Sequence, residues 1–296
     1  MKNSVKNIFP EKIRCIAITA PAGYPDMEKL ADAVKLLSQM VKVKNFIAAR
    51  SADTPGYLSA DSADRLAMFN AAVRDSEVDL ILAVRGGFGS VHILPGIDYD
   101  TLQKRRLPVM GYSDITALHC AMLAKNAGIP IAGSNLLQLS EVLSDEWSFS
   151  SHHAALQSPA DSTVQEYRLA AVNSLAQNCT VTAPAYAANL TVLTSLCGTE
   201  FMPDFSRYIL IIEDVNEPVY KIDRMLEQLY LNNIVQNVKA LAFGKFTDPE
   251  NSTATLDELF SRFAAKLNIP CYKNFVFGHE FPMTAVNAAQ LIQISC

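Results

Sequence analysis

The chain has 296 residues, of which 50% are hydrophobic and 19% are charged, and this composition supplies a large core and excludes disorder as a description of the whole sequence. The formal net charge of -5 at pH 7 argues against a nucleic-acid-binding protein, because such proteins usually carry a basic surface. The six cysteines occur singly, so the C-x-x-C motifs of zinc ribbons and thioredoxin-like proteins are absent.

The first half of the sequence alternates between strand and helix patterns. Short apolar or β-compatible runs predict strands at Ile13–Thr19, Val41–Ile47, Leu80–Val84, Pro108–Met110 and Ile129–Ala132. Apolar residues at helical spacing predict helices at Met27–Val41, at Ser62–Arg74 and directly after Pro108–Met110. This alternation predicts an α/β fold whose N-terminal part is an open parallel sheet flanked by helices, of the Rossmann or flavodoxin-like kind.

The pattern weakens between about Leu139 and Ala185, where Ser, Asp, Gln and Ala are frequent. We therefore predict an N-terminal domain at 1–140, a linker or loop region at 141–185 and a second, smaller α/β domain at 186–296. The second half resumes with apolar runs and one strongly amphipathic helix, at Leu190–Leu196, Tyr208–Ile212, Ile222–Tyr230 and Ala240–Phe243.

Ser113 lies on a short turn between the predicted strand Pro108–Met110 and the helix after it. This arrangement resembles the nucleophile elbow of α/β hydrolases, which exposes a serine Oγ above the sheet. The same residues also fit an ordinary helix N-cap. Ile115 stands where the second glycine of G-x-S-x-G is usual.

Three glycines in the segment Arg85–Gly89 follow another buried strand. Glycines allow a loop to approach a ligand closely and to present backbone N–H groups to it. The loop lacks the G-K-[ST] ending of a phosphate loop, and no G-x-G-x-x-G follows the first strand. The loop is therefore a ligand-binding candidate or a structural turn, with Arg85 as a carboxylate anchor or an internal ion-pair partner.

Two acids, Glu213 and Asp214, follow the aliphatic run at Tyr208–Ile212, and they are either helix-entry caps or catalytic groups. His279 follows F-V-F-G and is the best candidate for a base. Ser113, Glu213 and His279 thus occur in the chain order of the α/β hydrolases, and a Glu can replace Asp in orienting the imidazole. Of the other histidines, we expect His119 to pack in the core, His152 and His153 to be solvated, and His92 to face the glycine-rich loop.

Six blocks of sequence occur in order along nearly the whole chain. They are Y-L-S-A-D-S-A-D-R, V-D-L-I-L-A-V-R-G-G-F-G-S, V-M-G-Y-S-D-I-T-A-L-H, A-N-L-T-V-L-T-S-L-C-G-T, I-I-E-D-V-N-E-P-V-Y-K-I-D-R-M-L-E-Q-L and F-G-H. In these blocks the chain resembles the LD-carboxypeptidases, a family of serine peptidases. The combination of R-G-G-F-G, G-Y-S-D-I-T and E-D-V-N-E-P at these spacings is specific.

The resemblance implies a Ser-His-Glu triad, with Ser113 as the nucleophile on the first domain, and Glu213 and His279 on the second. It also implies an oxyanion hole formed by the backbone N–H groups of Gly87 and Asp114. The substrate-binding candidates are Arg85, Gly86 and Tyr112.

The activity implied by the resemblance is hydrolysis of the amide bond between an L-centre diamino acid and a terminal D-alanine in cell-wall tetrapeptides, during murein recycling. It implies a small peptide as partner, a homodimer, and no metal or organic cofactor. No nucleic acid or membrane partner is expected. A cytoplasmic location is expected, because the sequence lacks both an apolar run of about 20 residues and a signal-peptide pattern.

The sequence departs from the family pattern in four places where substrate or loops are expected to be shaped: Ala132–Ser134, Ala187 with Ala188, His92, and Ala285–Ala288. Substrate identity is therefore open. One alternative is the branch of the fold that confers immunity to microcin C by cleaving an acyl-sulfamoyl or acyl-phosphoramidate adenylate. That branch would need an aromatic residue to stack a nucleobase, and Trp147 is the only tryptophan. A second alternative is a peptide-binding homologue without turnover.

Overall fold

Two β-sheets organise the chain in a computed structural model that describes residues 6–158, 162–247 and 253–296. The strands of this part are β1 (Cys15–Thr19), β2 (Lys42–Phe46), β3 (Leu80–Ala83), β4 (Pro108–Gly111), β5 (Ile129–Ala132), β6 (Gln165–Arg168), β7 (Ala170–Ala171), β8 (Thr180–Asn189), β9 (Ile209–Val215), β10 (Ala240–Thr247), β11 (Cys271–Lys273), β12 (Val286–Asn287) and β13 (Leu291–Ser295). The helices are α1 (Met27–Leu37), α2 (Ser62–Arg74), α3 (Tyr99–Arg105), α4 (Ile115–Ala124), α5 (Leu139–Ser144), α6 (Glu146–Leu156), α7 (Leu190–Ser195), α8 (Val219–Leu231) and α9 (Thr253–Ala264).

The first sheet has the strand order β12-β5-β4-β3-β1-β2 within the described residues. Strands β1 to β5 are parallel to their neighbours, whereas β12 runs antiparallel to β5. The order of the five parallel strands is that of flavodoxin-like folds. Strand β3 is buried along its whole length, as expected for an aliphatic strand covered on both faces. The predicted open parallel sheet is therefore confirmed.

The second sheet, with the order β6-β13-β8-β9-β10-β11-β7 in the described part of the chain, nearly closes into a barrel. Its two edge strands, β6 and β7, are separated in sequence by Leu169 alone, so the opposite edges of the sheet must curl towards each other. The four central strands β8 to β11 are parallel. The mixed α/β fold with a second α/β part is as predicted.

The segment 141–185, predicted as a linker or loop region, contains regular structure: most of α5, all of α6, and strands β6, β7 and part of β8. The expectation of a loop there was wrong, because α6 buries the polar side chains of Ser148 and His152 together with Ala155 and Leu156. Ser148 and His152 of α6 are fully buried, and the Ser148 hydroxyl accepts a hydrogen bond from Met283 N at 2.9 Å. A buried face that is partly polar weakens the apolar periodicity from which a helix is predicted. The division into domains at 140 and 186 stays a prediction.

His152 is not solvated, contrary to the expectation from sequence. Its Nε2 accepts a hydrogen bond from Ser134 N at 3.0 Å, and its Nδ1–H donates to Ser148 O at 2.6 Å. Burial lowers the pKa of His152 to about 4, which keeps the imidazole neutral. His153 is half-buried, with Nδ1 2.8 Å from Ile8 O. Both histidines therefore belong to the packing of α6.

Helix α4 lies between the two sheets, with contacts to β5 on one side and to α7 on the other. Residues 115–122 are all buried, as expected for a helix that is apolar on every face. His119 is completely buried, with Nε2 2.9 Å from Val109 O, so its prediction as a core residue is confirmed. Within the described residues, no helix is both long and apolar enough to cross a bilayer.

Candidate active site

Ser113 lies in the short turn between the end of β4 at Gly111 and the start of α4 at Ile115, as the sequence predicted. Its φ of 64° lies in the left-handed region, which is strained for a residue with a side chain. Backbone hydrogen bonds from Ile115 N to Tyr112 O and from Thr116 N to Ser113 O hold the turn. This strained strand–turn–helix geometry is the arrangement that exposes the serine in a nucleophile elbow.

His279 connects Ser113 to Glu213 through two hydrogen bonds. Its Nδ1–H donates to Glu213 Oε2 at 2.8 Å, and its Nε2 accepts from the Ser113 hydroxyl at 3.1 Å. Glu213 belongs to β9 of the second sheet, and His279 lies in the segment between β11 and β12. The His279 side chain is 20% exposed and the Glu213 side chain is fully buried. The fold therefore brings together three residues that are 66 and 166 positions apart.

The electrostatics of this trio favour a basic imidazole beside a buried acid. Burial lowers the pKa of His279, but the hydrogen bond and charge of Glu213, together with the charge of Asp214, outweigh it and raise this pKa above the ordinary value. Burial also raises the pKa of Glu213, with partial compensation from the hydrogen bond and charge of His279. A histidine that is oriented by an acid and bonded to a serine hydroxyl can accept the serine proton.

Asn189, a residue that the sequence analysis did not single out, holds both acids. Its Nδ2 donates to Glu213 Oε1 at 3.2 Å and to Asp214 Oδ1 at 3.0 Å, and its backbone N–H donates to Thr116 Oγ1 on α4 at 3.0 Å. Its Oδ1 accepts from Val192 N, so Asn189 is also the N-cap of α7. The sequence did offer one signal for Asn189: an Asn between an apolar run and a helix is a usual N-cap residue.

Asp214, the other acid singled out, is structural. It accepts hydrogen bonds from Thr191 N at 2.9 Å, from Thr191 Oγ1 at 2.7 Å, from Asn189 and from Val215 N. Its side chain therefore joins β9 to the start of α7. It contributes to the site through its negative charge, which raises the pKa of His279.

The glycine-rich loop packs directly against the serine turn. A Cβ added to Gly86 would lie 2.8 Å from Ser113 Cβ and 3.3 Å from Asp114 N, so this close approach requires glycine. Gly87 has a φ of 106°, which also favours glycine. In the described part of the chain, the backbone N–H groups of Gly87 and Asp114 donate to no protein acceptor. These two N–H groups are therefore available to bind an oxyanion.

A cavity of about 690 Å³ contains the Ser113 and His279 side chains. Arg85 and Tyr112 line it, together with parts of α1 and several residues between Asn135 and Glu141. Arg85 is exposed and donates from Nη1 to Tyr24 O at 2.8 Å, and no carboxylate of the described residues forms an ion pair with it. An arginine beside the serine can bind a substrate carboxylate.

Tyr112 is buried and lies beside the imidazole. Its hydroxyl accepts a hydrogen bond from Gln138, and its ring centroid is 4.9 Å from that of His279. Burial raises the pKa of Tyr112 to about 12, so the phenol stays neutral. Tyr112 therefore packs beside the His279 ring, with the two ring planes tilted by 52°.

The segments that depart from the family pattern lie outside the lining of this cavity. Ala132 is in β5 and Ala187 is in β8, and both are buried. Ala285–Ala288 includes β12, which pairs with β5. These positions therefore pack the fold and do not line this cavity, contrary to our expectation.

His92 and Trp147 also lie away from this cavity. His92 contacts Arg65 and the ring of Phe88 in the glycine-rich loop. Trp147 is 46% exposed and lines a separate cavity with Tyr167. No cluster of three metal-binding side chains occurs among the residues that the structure describes.

Comparison with known proteins identifies relatives along most of the chain. The pattern of the LD-carboxypeptidase N-terminal domain matches residues 16–133, and that of the C-terminal domain matches residues 182–294. The chain is 30% identical to the probable murein peptide carboxypeptidase of Bacillus subtilis over 282 residues, which is 92% of this chain and 85% of that protein. It is 26% identical to the microcin C7 self-immunity protein MccF of Escherichia coli over 257 residues, covering 78% and 75% of the two chains. The solved muramoyltetrapeptide carboxypeptidase from Oxalobacter formigenes has a TM-score of 0.79 at 26% identity, covering 93% of this chain and 92% of that chain.

Proposed function

Since the chain belongs to the LD-carboxypeptidase family, we propose that it is a serine-type carboxypeptidase that releases a terminal D-alanine from cell-wall tetrapeptides. The scissile bond is the amide between the L-centre of the third residue and the D-alanine. The observation that carries this proposal is the continuous chain of hydrogen bonds from Glu213 through His279 to Ser113.

In the first step, Ser113 Oγ attacks the carbonyl carbon of the scissile amide while His279 Nε2 takes the hydroxyl proton. The hydrogen bond of 3.1 Å between these atoms supports this role. Glu213 keeps the proton of the imidazole on Nδ1 and stabilises the imidazolium that forms. The oxyanion of the tetrahedral intermediate accepts hydrogen bonds from the unpaired N–H groups of Gly87 and Asp114.

The intermediate collapses when His279 gives its proton to the amine of the leaving D-alanine, which leaves an ester between Ser113 and the acyl group. Water then attacks this ester with His279 as the base, and the serine hydroxyl is restored. Arg85 is proposed to bind the carboxylate of the terminal D-alanine. This role is supported by its exposure in the cavity beside Ser113 and by the strength of a guanidinium–carboxylate pair.

The substitution Ser113→Ala tests the proposal through the rate of D-alanine release from a murein tetrapeptide. We expect kcat to fall by several orders of magnitude, with a residual rate due to the oxyanion hole and binding. Ser195→Ala is the control, because Ser195 is exposed on α7 outside the cavity, and it should leave the rate unchanged. Unchanged turnover in the Ser113 variant would refute the serine mechanism.

The similarity to MccF supports a second candidate, an amidase that cleaves an acyl-sulfamoyl or acyl-phosphoramidate adenylate. The tryptophan considered for stacking a nucleobase, Trp147, lines a different cavity from Ser113, so we favour the peptide substrate. Turnover of the two substrate classes by the same preparation separates these candidates. A homologue without turnover would resist labelling of Ser113 by a fluorophosphonate probe, whereas we expect rapid labelling.

A further inference from the structure

Arg65 is a fully buried arginine on α2, with 2% of its surface exposed. Its Nε donates to Ala60 O at 2.9 Å, and its Nη1 donates to Gly89 O at 2.7 Å and to Pro21 O. These carbonyl groups belong to three separate segments: the turn after β1, the segment before α2, and the glycine-rich loop. Arg65 therefore ties the glycine-rich loop to the turn after β1 and to the segment before α2.

A buried guanidinium without an ion-pair partner is costly, because desolvation of the charge is compensated only by hydrogen bonds. No carboxylate of the described residues lies within ion-pair distance of Arg65, and burial lowers its pKa. The attraction of Asp114 and Asp61 opposes this effect but does not replace a direct pair.

The contacts of Arg65 continue to the serine turn through two consecutive loop residues. Gly89 O accepts from Arg65, and the next residue, Ser90, is held by Asp114. The Asp114 carboxylate accepts from Ser90 N at 2.8 Å, and Asp114 O accepts from Ser90 Oγ at 2.6 Å. A Cβ on Gly89 would lie 3.0 Å from Arg65 Nη1, so the loop is pressed against the guanidinium. The loop is therefore fixed on one side by Arg65 and on the other by Asp114.

We propose that Arg65 is a positioning residue for the oxyanion hole, acting together with Ser90 and the Asp114 side chain. The two N–H groups of the hole come from different segments, Gly87 from the loop and Asp114 from the serine turn. Their separation is set by how the loop is held against the turn. Arg65 and the Ser90–Asp114 pair set this separation before substrate binds, which is the preorganisation that stabilises a developing oxyanion. This inference rests on the proposed serine mechanism.

The test compares Arg65→Gln, Arg65→Lys and Ser90→Ala with Asn70→Ala. Asn70 is a matched control, because it is a buried polar residue on the same helix and bonds Gly96 O and Asp98 N, away from the hole. We expect Arg65→Gln to lower kcat by about 10²-fold with KM within about twofold, since a misplacement of about 1 Å costs this much. Arg65→Lys should recover part of the loss, and Ser90→Ala should lose less than Arg65→Gln.

Two further measurements separate positioning from simple loss of structure. In thermal unfolding, Asn70→Ala should lower Tm by about as much as the Arg65 variants do, but it should leave kcat unchanged. The rate of fluorophosphonate labelling should fall in parallel with kcat in the Arg65 and Ser90 variants, because the phosphoryl oxygen of the adduct needs the same N–H groups. Folded Arg65→Lys and Ser90→Ala variants with wild-type kcat would overturn the inference. Retention of activity by Ser113→Ala would instead overturn the proposed function, whatever the Arg65 variants do.

Discussion

Gly86→Ala is expected to damage the site through one methyl group. The added Cβ would lie 2.8 Å from Ser113 Cβ and 3.0 Å from Ser113 Oγ, whereas carbon atoms in contact are separated by about 3.5–4.0 Å. The serine turn or the glycine-rich loop must therefore move by about 1 Å. A displacement of this size costs about 10²-fold in rate, or about 2.7 kcal/mol of transition-state stabilisation. The effect should be on kcat, since the displaced atoms are those that react.

The assay is D-alanine release from a murein tetrapeptide, with kcat and KM measured separately and with Tm measured for each variant. Gly56→Ala is the matched control. The Cβ at this exposed glycine would have its nearest neighbour, Arg50 Nη2, at 3.9 Å, which is an ordinary contact. We expect Gly56→Ala to keep the wild-type kcat. A Gly86→Ala enzyme with full activity would refute the reasoning that the loop touches the reacting serine.

Three other changes probe the remaining parts of the site. Glu213→Gln removes the acid whose hydrogen bond and charge raise the pKa of His279 above about 6.5, so the acid limb of the kcat/KM profile should move to lower pH and kcat should fall by about 10³–10⁴-fold. Asn189→Ala leaves Glu213 and Asp214 without a shared donor, and we expect a loss of about 2 kcal/mol in the free energy of unfolding, measured by urea denaturation, with a lower kcat. Arg85→Met should raise KM by about tenfold or more with a smaller change in kcat, measured by D-alanine release.

Each of these three predictions would be contradicted by a specific result. The sign of the pH effect follows from the need for a neutral His279, so an acid limb that stays in place or moves to higher pH in Glu213→Gln would contradict the role of the acid. An Asn189→Ala protein with unchanged stability would contradict the bridging role of the amide. A substrate with an amidated C-terminus should bind wild type and Arg85→Met equally, and a large remaining difference would show that Arg85 does not bind the carboxylate.

Local sequence patterns predicted the first sheet because its strands and helices carry strong local signals. The boundaries of α2 and β5 coincide with the predicted ones, and the turn at Ser113 lies where strand and helix patterns meet. Glu213 and His279 have no comparable local signature. Their convergence with Ser113 depends on the packing of one sheet on the other. Their places after apolar runs and the order Ser, Glu, His made them candidates, and the resemblance to a family implied the triad.

The features that the sequence analysis missed share a physical cause, which is burial of polar side chains. Arg65 lies on a helix whose apolar positions were identified, but a charged residue at such a position is usually exposed. Ser148 and His152 hide the helical pattern of α6 in the same way. Asn189 forms contacts with residues 24, 25 and 73 positions away, and such pairings follow from the tertiary fold.

Strand β12 places a segment near the C-terminus in the first sheet, although β11 before it and β13 after it belong to the second. His279 follows β11 of the second sheet and precedes β12 of the first. The segment that carries it is therefore held by a different sheet at each end. Neither sheet alone therefore fixes the position of this segment. The Ser113–His279–Glu213 arrangement therefore depends on the pairing of Val286 and Asn287 with β5 as well as on the second sheet.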